Sequence, residues 1–144
     1  MTKINVTDFF DIGRTNMKFF LFDKNYKEVF REYTRLPETK DEDGYPAENL
    51  EELRKWMKYN FDSILENEQY EVKAVNFSSY GASFVHIDHQ GKVLAPLYNY
   101  TKPIDKSITE GFYQKYGSEL KIAMETASPQ TGMLNSGMQL YWLK

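Results

Sequence analysis

Cysteine is absent from this 144-residue chain. That excludes a disulfide framework and a thiolate zinc site. Long apolar runs are absent too: none approaches the roughly 18–20 residues of a membrane-spanning helix, and the N-terminus has no apolar signal-peptide core. Charge of one sign is scarce. Eighteen Lys and Arg against 21 Asp and Glu leave a net charge of −3, with a pI near 5.5. Without a basic stripe, nucleic acid is not an expected partner. There is no internal repeat and no low-complexity tract. A cytoplasmic protein without a membrane partner is the expectation that follows.

What is present can build a core. Hydrophobic residues make up 41% and aromatics 16% of the chain, and a chain of this length buries roughly two-thirds of its unfolded surface. Ile4–Asp11, Met17–Phe22 and Lys27–Arg35 read as three successive strands, joined by turns at Gly13–Asn16 and Asp23–Tyr26. Leu36–Pro46, with Pro37, Gly44 and Pro46, reads as a loop. Asn49–Glu66 reads as a helix, with Asn49 as its cap and Leu50, Leu53, Met57, Phe61 and Ile64 at helical spacing. Val72–Ser78 reads as a buried strand. Ser83–Asp88 and Lys92–Leu94 read as a hairpin around His89-Gln90-Gly91. Helices are expected at Ser107–Tyr116, at Glu119–Thr126 and from Ser136 onward.

The most chemically loaded stretch is Asp11-Ile12-Gly13-Arg14-Thr15-Asn16, a glycine-bearing polar turn between two apolar runs, with Lys18 just beyond it. Gly13 lets the backbone approach a ligand closely. Thr15 and Asn16 add side-chain donors, and Lys18 adds a positive charge. Asp11, at a strand end, is placed to hold a hydrated cation. A carboxylate, bare backbone, a hydroxyl and a cation within eight residues suit a polyphosphate–magnesium site. The plain alternative is an ordinary hairpin turn. His86 and Asp88 would share a strand face, with His89 pointing away; no further ligand accompanies them, so zinc is not expected. Ser128 has no His–Asp partners for a nucleophilic triad.

The turn resembles the first phosphate loop of the sugar-kinase, actin and heat-shock ATPase superfamily, Asp-x-Gly-Thr-Thr followed by a basic residue. Three strands, a helix and another strand is the ribonuclease-H-like order that sugar kinases share. Phe77-Ser78-Ser79-Tyr80-Gly81-Ala82-Ser83-Phe84-Val85-His86-Ile87-Asp88 resembles the sugar-contacting segment of FGGY carbohydrate kinases. Gly91-Lys92-Val93-Leu94-Ala95-Pro96-Leu97-Tyr98-Asn99-Tyr100 is similar to the segment that follows in that family and ends in an aromatic residue lining the sugar pocket. Gln139-Leu140-Tyr141-Trp142-Leu143-Lys144 is similar to the family's Leu-Leu-Trp-Leu-Lys helix. The nearest patterns are those of the xylulokinase, rhamnulokinase and fuculokinase branches.

The resemblance implies an α/β fold: the N-terminal, sugar-binding part of a ribonuclease-H-like (actin-like ATPase) domain, a mixed sheet with flanking helices. It implies ATP and Mg²⁺, with a sugar as the phosphoryl acceptor. Asp11 would hold Mg²⁺ through water. Gly13, Arg14, Thr15 and Asn16 would cradle phosphates, and Lys18 would face the transferred group. Tyr80, Gly81, Ser83 and Tyr100 would line the sugar site. Members run to several hundred residues in two domains. The catalytic base is therefore expected beyond Lys144, the second domain is expected to be absent here, and the fragment alone is expected to be inactive. Met138, Leu140, Tyr141, Trp142 and Leu143 are then expected to expose an apolar patch and to self-associate. Arg14, Gly81-Ala82 and Thr101-Lys102-Pro103 depart from the common family residues, so the sugar stays open. The competing reading is a non-catalytic actin-like or ribonuclease-H-like interaction module.

Overall fold

The computed structural model of the chain describes residues 2–144. Its elements run in the order β1 (Ile4–Ile12), β2 (Met17–Asp23), β3 (Glu28–Thr34), β4 (Thr39–Lys40), β5 (Pro46–Ala47), α1 (Leu50–Leu65), β6 (Tyr70–Ser79), α2 (Lys106–Tyr116), α3 (Glu119–Thr126) and α4 (Ser136–Trp142), with a 3-10 turn at Gly132–Leu134. They fall into two compact units, Met1–Glu38 with Asn49–Tyr80, and Thr39–Glu48 with Gly81–Lys144.

In the first unit, β1, β2, β3 and β6 form a sheet in the order β3-β2-β1-β6. The first three strands are antiparallel, while β6 runs parallel to β1. The two hairpins and the α1 crossover expected from the sequence are therefore present. Asp23 shapes the second turn: its Oδ1 accepts the N–H groups of Asn25 and Lys27, at 2.8 and 3.0 Å. Alternation assigns the faces. Val6 and Phe10 of β1 and Met17, Phe19 and Leu21 of β2 form one buried face, against Trp56 and Ile64 of α1. Phe10 meets Phe19 at 4.6 Å and Trp56 edge-on at 5.6 Å between ring centroids.

Helix α1 starts as expected, the Asn49 side chain accepting the Glu52 N–H. Its buried line is Trp56, Asn60 and Ile64, with Leu53, Met57 and Phe61 only partly buried beside it. The stripe is thus rotated by one position from the purely apolar reading. Asn60 is tolerated inside because its amide donates to Trp56 O at 3.0 Å, and Trp56 Nε1 donates to Glu32 Oε1 at 3.2 Å.

Two core features depart from expectation. Strand β6 is not buried: every side chain from Lys73 to Ser79 is exposed. Among the described residues it is paired only with β1. Asp8, by contrast, is fully buried on the α1 face, and neither carboxylate oxygen has a hydrogen-bond partner among the described residues. It stands opposite Leu21 in β2 and Val75 in β6. Burial pushes its pKa up to about 6.

In the second unit, the stretch read as a loop contains the β4–β5 hairpin. Asp41 closes its turn by accepting the Asp43 and Tyr45 N–H groups at 3.0 and 2.9 Å. The buried Lys102 ammonium ties this turn down, 2.6 Å from Asp41 and 2.7 Å from Asp43. It also lies over the rings of Tyr98 and Trp142, at 5.2 and 5.0 Å. The segment read as a two-stranded hairpin keeps only the bridge Ile87↔Val93 around a turn in which Asp88 accepts the Gln90 and Lys92 N–H groups. Helices α2, α3 and α4 lie where expected. Asp105 caps α2, accepting the Ser107 N–H at 2.7 Å. The expected apolar patch on α4 is largely covered within this unit: Met138 is buried, Tyr141, Trp142 and Leu143 are half-buried, and Leu140 alone is exposed.

Candidate functional site

The polar turn sits where β1 ends and β2 begins. A four-residue connection fixes the register of the hairpin, so Asp11 falls opposite Lys18. Their side chains form an ion pair of 2.9 Å. The hydrogen bond to Asp11 raises the Lys18 pKa above its ordinary value. Lys18 in turn lies opposite Tyr33 of β3, and Asp11 opposite Ser78 of β6. Across the four strands this gives one row, Tyr33–Lys18–Asp11–Ser78, on the face opposite α1. It lies at the carboxyl ends of the parallel pair β1 and β6, the position where open α/β sheets bind ligands. Tyr33 and Ser78 carry no motif of their own. Counting residues through the two hairpin turns is the one signal that could have placed Tyr33.

Within the turn, Gly13 N–H donates to Asp11 O at 3.1 Å. A Cβ at Gly13 would lie 2.6 Å from the Asn16 carbonyl oxygen. Glycine is therefore required by the turn's own close backbone packing. Arg14 pairs with Glu38 at 3.2 Å. Thr15 and Asn16 are exposed, and no hydrogen bond among the described residues engages their N–H groups. The turn thus offers backbone donors next to a carboxylate and an ammonium. Tyr80 follows β6 and is half-buried; its N–H donates to Ile12 O at 3.2 Å, fastening it to the end of β1.

The remaining expected sugar-site residues belong to the second unit. Gly81 is exposed, with open space where a Cβ would stand. Ala82 adopts φ 62°, a left-handed conformation costly for a residue with a Cβ. Its carbonyl accepts the Gln139 amide at 3.1 Å. Ser83 Oγ donates to Tyr98 O at 3.1 Å, which links it to the segment leading to the half-buried Tyr100. Gln139, fully buried on α4, was not singled out from sequence as a site residue, and only its place in the terminal helix motif pointed to it.

Among the described residues no group of three or more His, Asp or Glu side chains could hold a metal ion. His86, Asp88 and His89 therefore form no such centre. Asp11 is a single carboxylate at an open turn. That suits a hard cation which keeps most of its water and takes its other ligands from phosphates. No helix is long and apolar enough to cross a membrane.

Residues 7–144 match the family described as FGGY family of carbohydrate kinases, N-terminal domain. Among solved structures, a carbohydrate kinase from Novosphingobium aromaticivorans aligns over 99% of this chain and 29% of its own, with TM-score 0.82 and 19% identity. Gluconate kinase from Lactobacillus acidophilus aligns over 98% and 28%, with TM-score 0.74 and 20% identity. Plasmodium falciparum glycerol kinase with ADP aligns over 98% and 29%, with TM-score 0.76 and 16% identity. At these identities the likeness shows the fold, the ribonuclease-H-like arrangement read from the element order. The chain spans less than a third of each of these proteins. No curated protein matches it. The chain belongs to the FGGY family of carbohydrate kinases, within its N-terminal domain.

Proposed function

We propose that this chain supplies the phosphate-binding turn and part of the sugar site of an ATP-dependent kinase that phosphorylates a sugar hydroxyl in the cytoplasm. The observation that carries the reading is the row Lys18–Asp11–Ser78 at the carboxyl ends of β1 and β6, beside a turn with unengaged backbone N–H groups. Family membership supplies the chemical class.

Asp11 is the residue to hold Mg²⁺, through water. A Mg²⁺ held there would supply positive charge to neutralise the phosphates. The Thr15 and Asn16 N–H groups donate to phosphate oxygens, and Arg14 adds a cation beside them. Lys18, paired with Asp11, is the cation that would face the transferred group and stabilise the charge that develops on it. Tyr80, Gly81, Ser83 and Tyr100 line the sugar site.

The catalytic base and the adenosine site belong to sequence outside these residues, so the chain by itself turns nothing over. A positioned base contributes about 10²–10⁴ in rate. A coupled ADP-release assay across pentoses, deoxyhexoses, gluconate and glycerol tests this. The chain alone gives the blank rate, and a longer polypeptide containing it gives turnover on one sugar class that falls with Asp11→Asn. Turnover by the chain alone, or full turnover in the Asp11→Asn polypeptide, contradicts the assignment.

A further inference from the structure

Among the described residues, Tyr26, Ala82 and Ala127 carry a Cβ and hold a positive φ. Tyr26 lies in the β2–β3 turn, and Ala127 closes the end of α3. Left-handed residues are ordinary at such places. Ala82, at φ 62°, closes neither a hairpin nor a helix. Such a residue persists where the structure around it holds it in place. Gln139 is what holds Ala82, its amide donating to Ala82 O at 3.1 Å across 57 residues of chain. Gln139 is fully buried, and its Oε1 has no partner among the described residues. An apolar side chain of like shape would therefore suit that interior better, and the bond to Ala82 is what the amide provides.

The position of Gln139 is itself fixed. One helical turn earlier, the Asn135 side chain ties α4 to the loop before it. Its Oδ1 accepts the Thr131 N–H at 2.6 Å, and its amide donates to Pro129 O and Ser128 Oγ, both at 2.9 Å. Asn135 O accepts the Gln139 N–H at 3.0 Å. Three residues beyond Gln139, on the same side of α4, Trp142 meets Tyr98 edge-on at 4.8 Å. Tyr98 O accepts Ser83 Oγ at 3.1 Å. The contacts close a circuit, from Gln139 through Ala82, Ser83 and Tyr98 to Trp142 and back to α4. One helix thus holds both the segment with Gly81 and Ser83 and the segment leading to Tyr100.

We infer that Gln139 is a positioning residue for the sugar, acting through Ala82: its amide keeps the Gly81–Ser83 backbone in the one conformation that binds the acceptor. This rests on the assignment of Gly81, Ser83 and Tyr100 to the sugar site. The longer polypeptide that contains this chain is the one to assay, on the sugar it turns over. Gln139→Met keeps the side chain's length and removes the donor. The KM for the sugar should rise about tenfold, with the KM for ATP unchanged. Adding Ala82→Gly should restore most of the affinity, because glycine holds φ 62° unaided. Ala82→Val leaves α4 intact, and its branched Cβ disfavours the left-handed conformation, so it should raise the sugar KM by itself. In the 144-residue chain alone, NMR of Gln139→Met should show Ala82 and Ser83 displaced, with the amide-to-α-proton coupling of Ala82 reporting the loss of positive φ. An unchanged Ala82 coupling overturns the inference alone. So do sugar and ATP KM values that rise together without rescue by Ala82→Gly, the mark of a merely structural Gln139. A displaced Ala82 with an unmoved sugar KM overturns the sugar-site assignment and the inference with it.

Discussion

Lys102 and Asp41, 61 residues apart in the chain, form an ion pair of 2.6 Å that is buried on both sides. Burial opposes the charged form of Asp41, but the Lys102 ammonium and the Tyr45 and Asp43 N–H groups hold its carboxyl below the usual range. Burial likewise opposes the charge on Lys102, and the two carboxylates hold its pKa above the ordinary value. Removing one partner strands the other. Lys102→Met should cost the second unit about 3–5 kcal/mol, because Asp41 would keep its burial without its cation. Asp41→Asn combined with Lys102→Met should recover most of that loss. Trp142, against Tyr98 at 4.8 Å, reports it: urea unfolding followed by Trp142 fluorescence in a Trp56→Phe background reads both variants.

Asp8 makes the first unit sensitive to pH in the opposite sense to most carboxylates. Its folded pKa, about 6, lies above its unfolded value of 3.8. The folded state therefore binds the proton more tightly, and the penalty of charging Asp8 grows from pH 4 to 6 and is fully present above that window. A shift of that size corresponds to roughly 2–3 kcal/mol. Lowering the pH from 7 to 5 should recover part of it, and Asp8→Val should recover it at pH 7 and flatten the profile. Denaturation followed by Trp56 fluorescence in a Trp142→Phe background measures both. A wild-type profile that falls steadily from pH 7 to 5 contradicts the assignment.

Gly13→Ala should damage the turn itself. The added methyl meets the Asn16 carbonyl at 2.6 Å, so the backbone has to move, at a cost of about 1–3 kcal/mol. The same denaturation experiment reads the loss, and amide chemical shifts from Asp11 to Lys18 should show the displacement confined to the turn.

Much of this was legible in the sequence where local chemistry decides the structure. The first three strands follow from alternation and from Gly13 and Asp23 at the turns, and α1 begins where Asn49 can cap it. α3 lies at Glu119–Thr126 as expected, and the structure adds its cap, the Ser118 hydroxyl accepting the Lys121 N–H at 3.3 Å. What stayed hidden depends on partners distant in sequence. Asp41 and Gly44 mark the turn of the β4–β5 hairpin locally, but the Lys102 ammonium that ties it down is distant in sequence. Val72–Ser78 reads as buried because its apolar composition is that of an interior parallel strand, yet among the described residues it pairs only with β1 and Lys73–Ser79 are exposed. Burial of Asn60 breaks the apolar stripe of α1, and its amide's bonds to Trp56 O and to Glu32 Oε1, at 3.0 and 3.4 Å, explain its place. The Asp11–Lys18 pair was visible as two separate motif residues; their contact is a product of strand register.

The central claim is that Asp11 and the turn from Gly13 to Lys18 form a Mg²⁺–polyphosphate site. Amide NMR of the chain, titrated with millimolar ATP with and without Mg²⁺, tests it most directly. The account predicts shifts confined to Asp11–Lys18 and Ser78, requiring both Mg²⁺ and ATP, and lost in Asp11→Asn, whose far-UV circular dichroism stays that of the wild type. Shifts that ignore Mg²⁺, that persist in Asp11→Asn, or that fall elsewhere on the chain would contradict it.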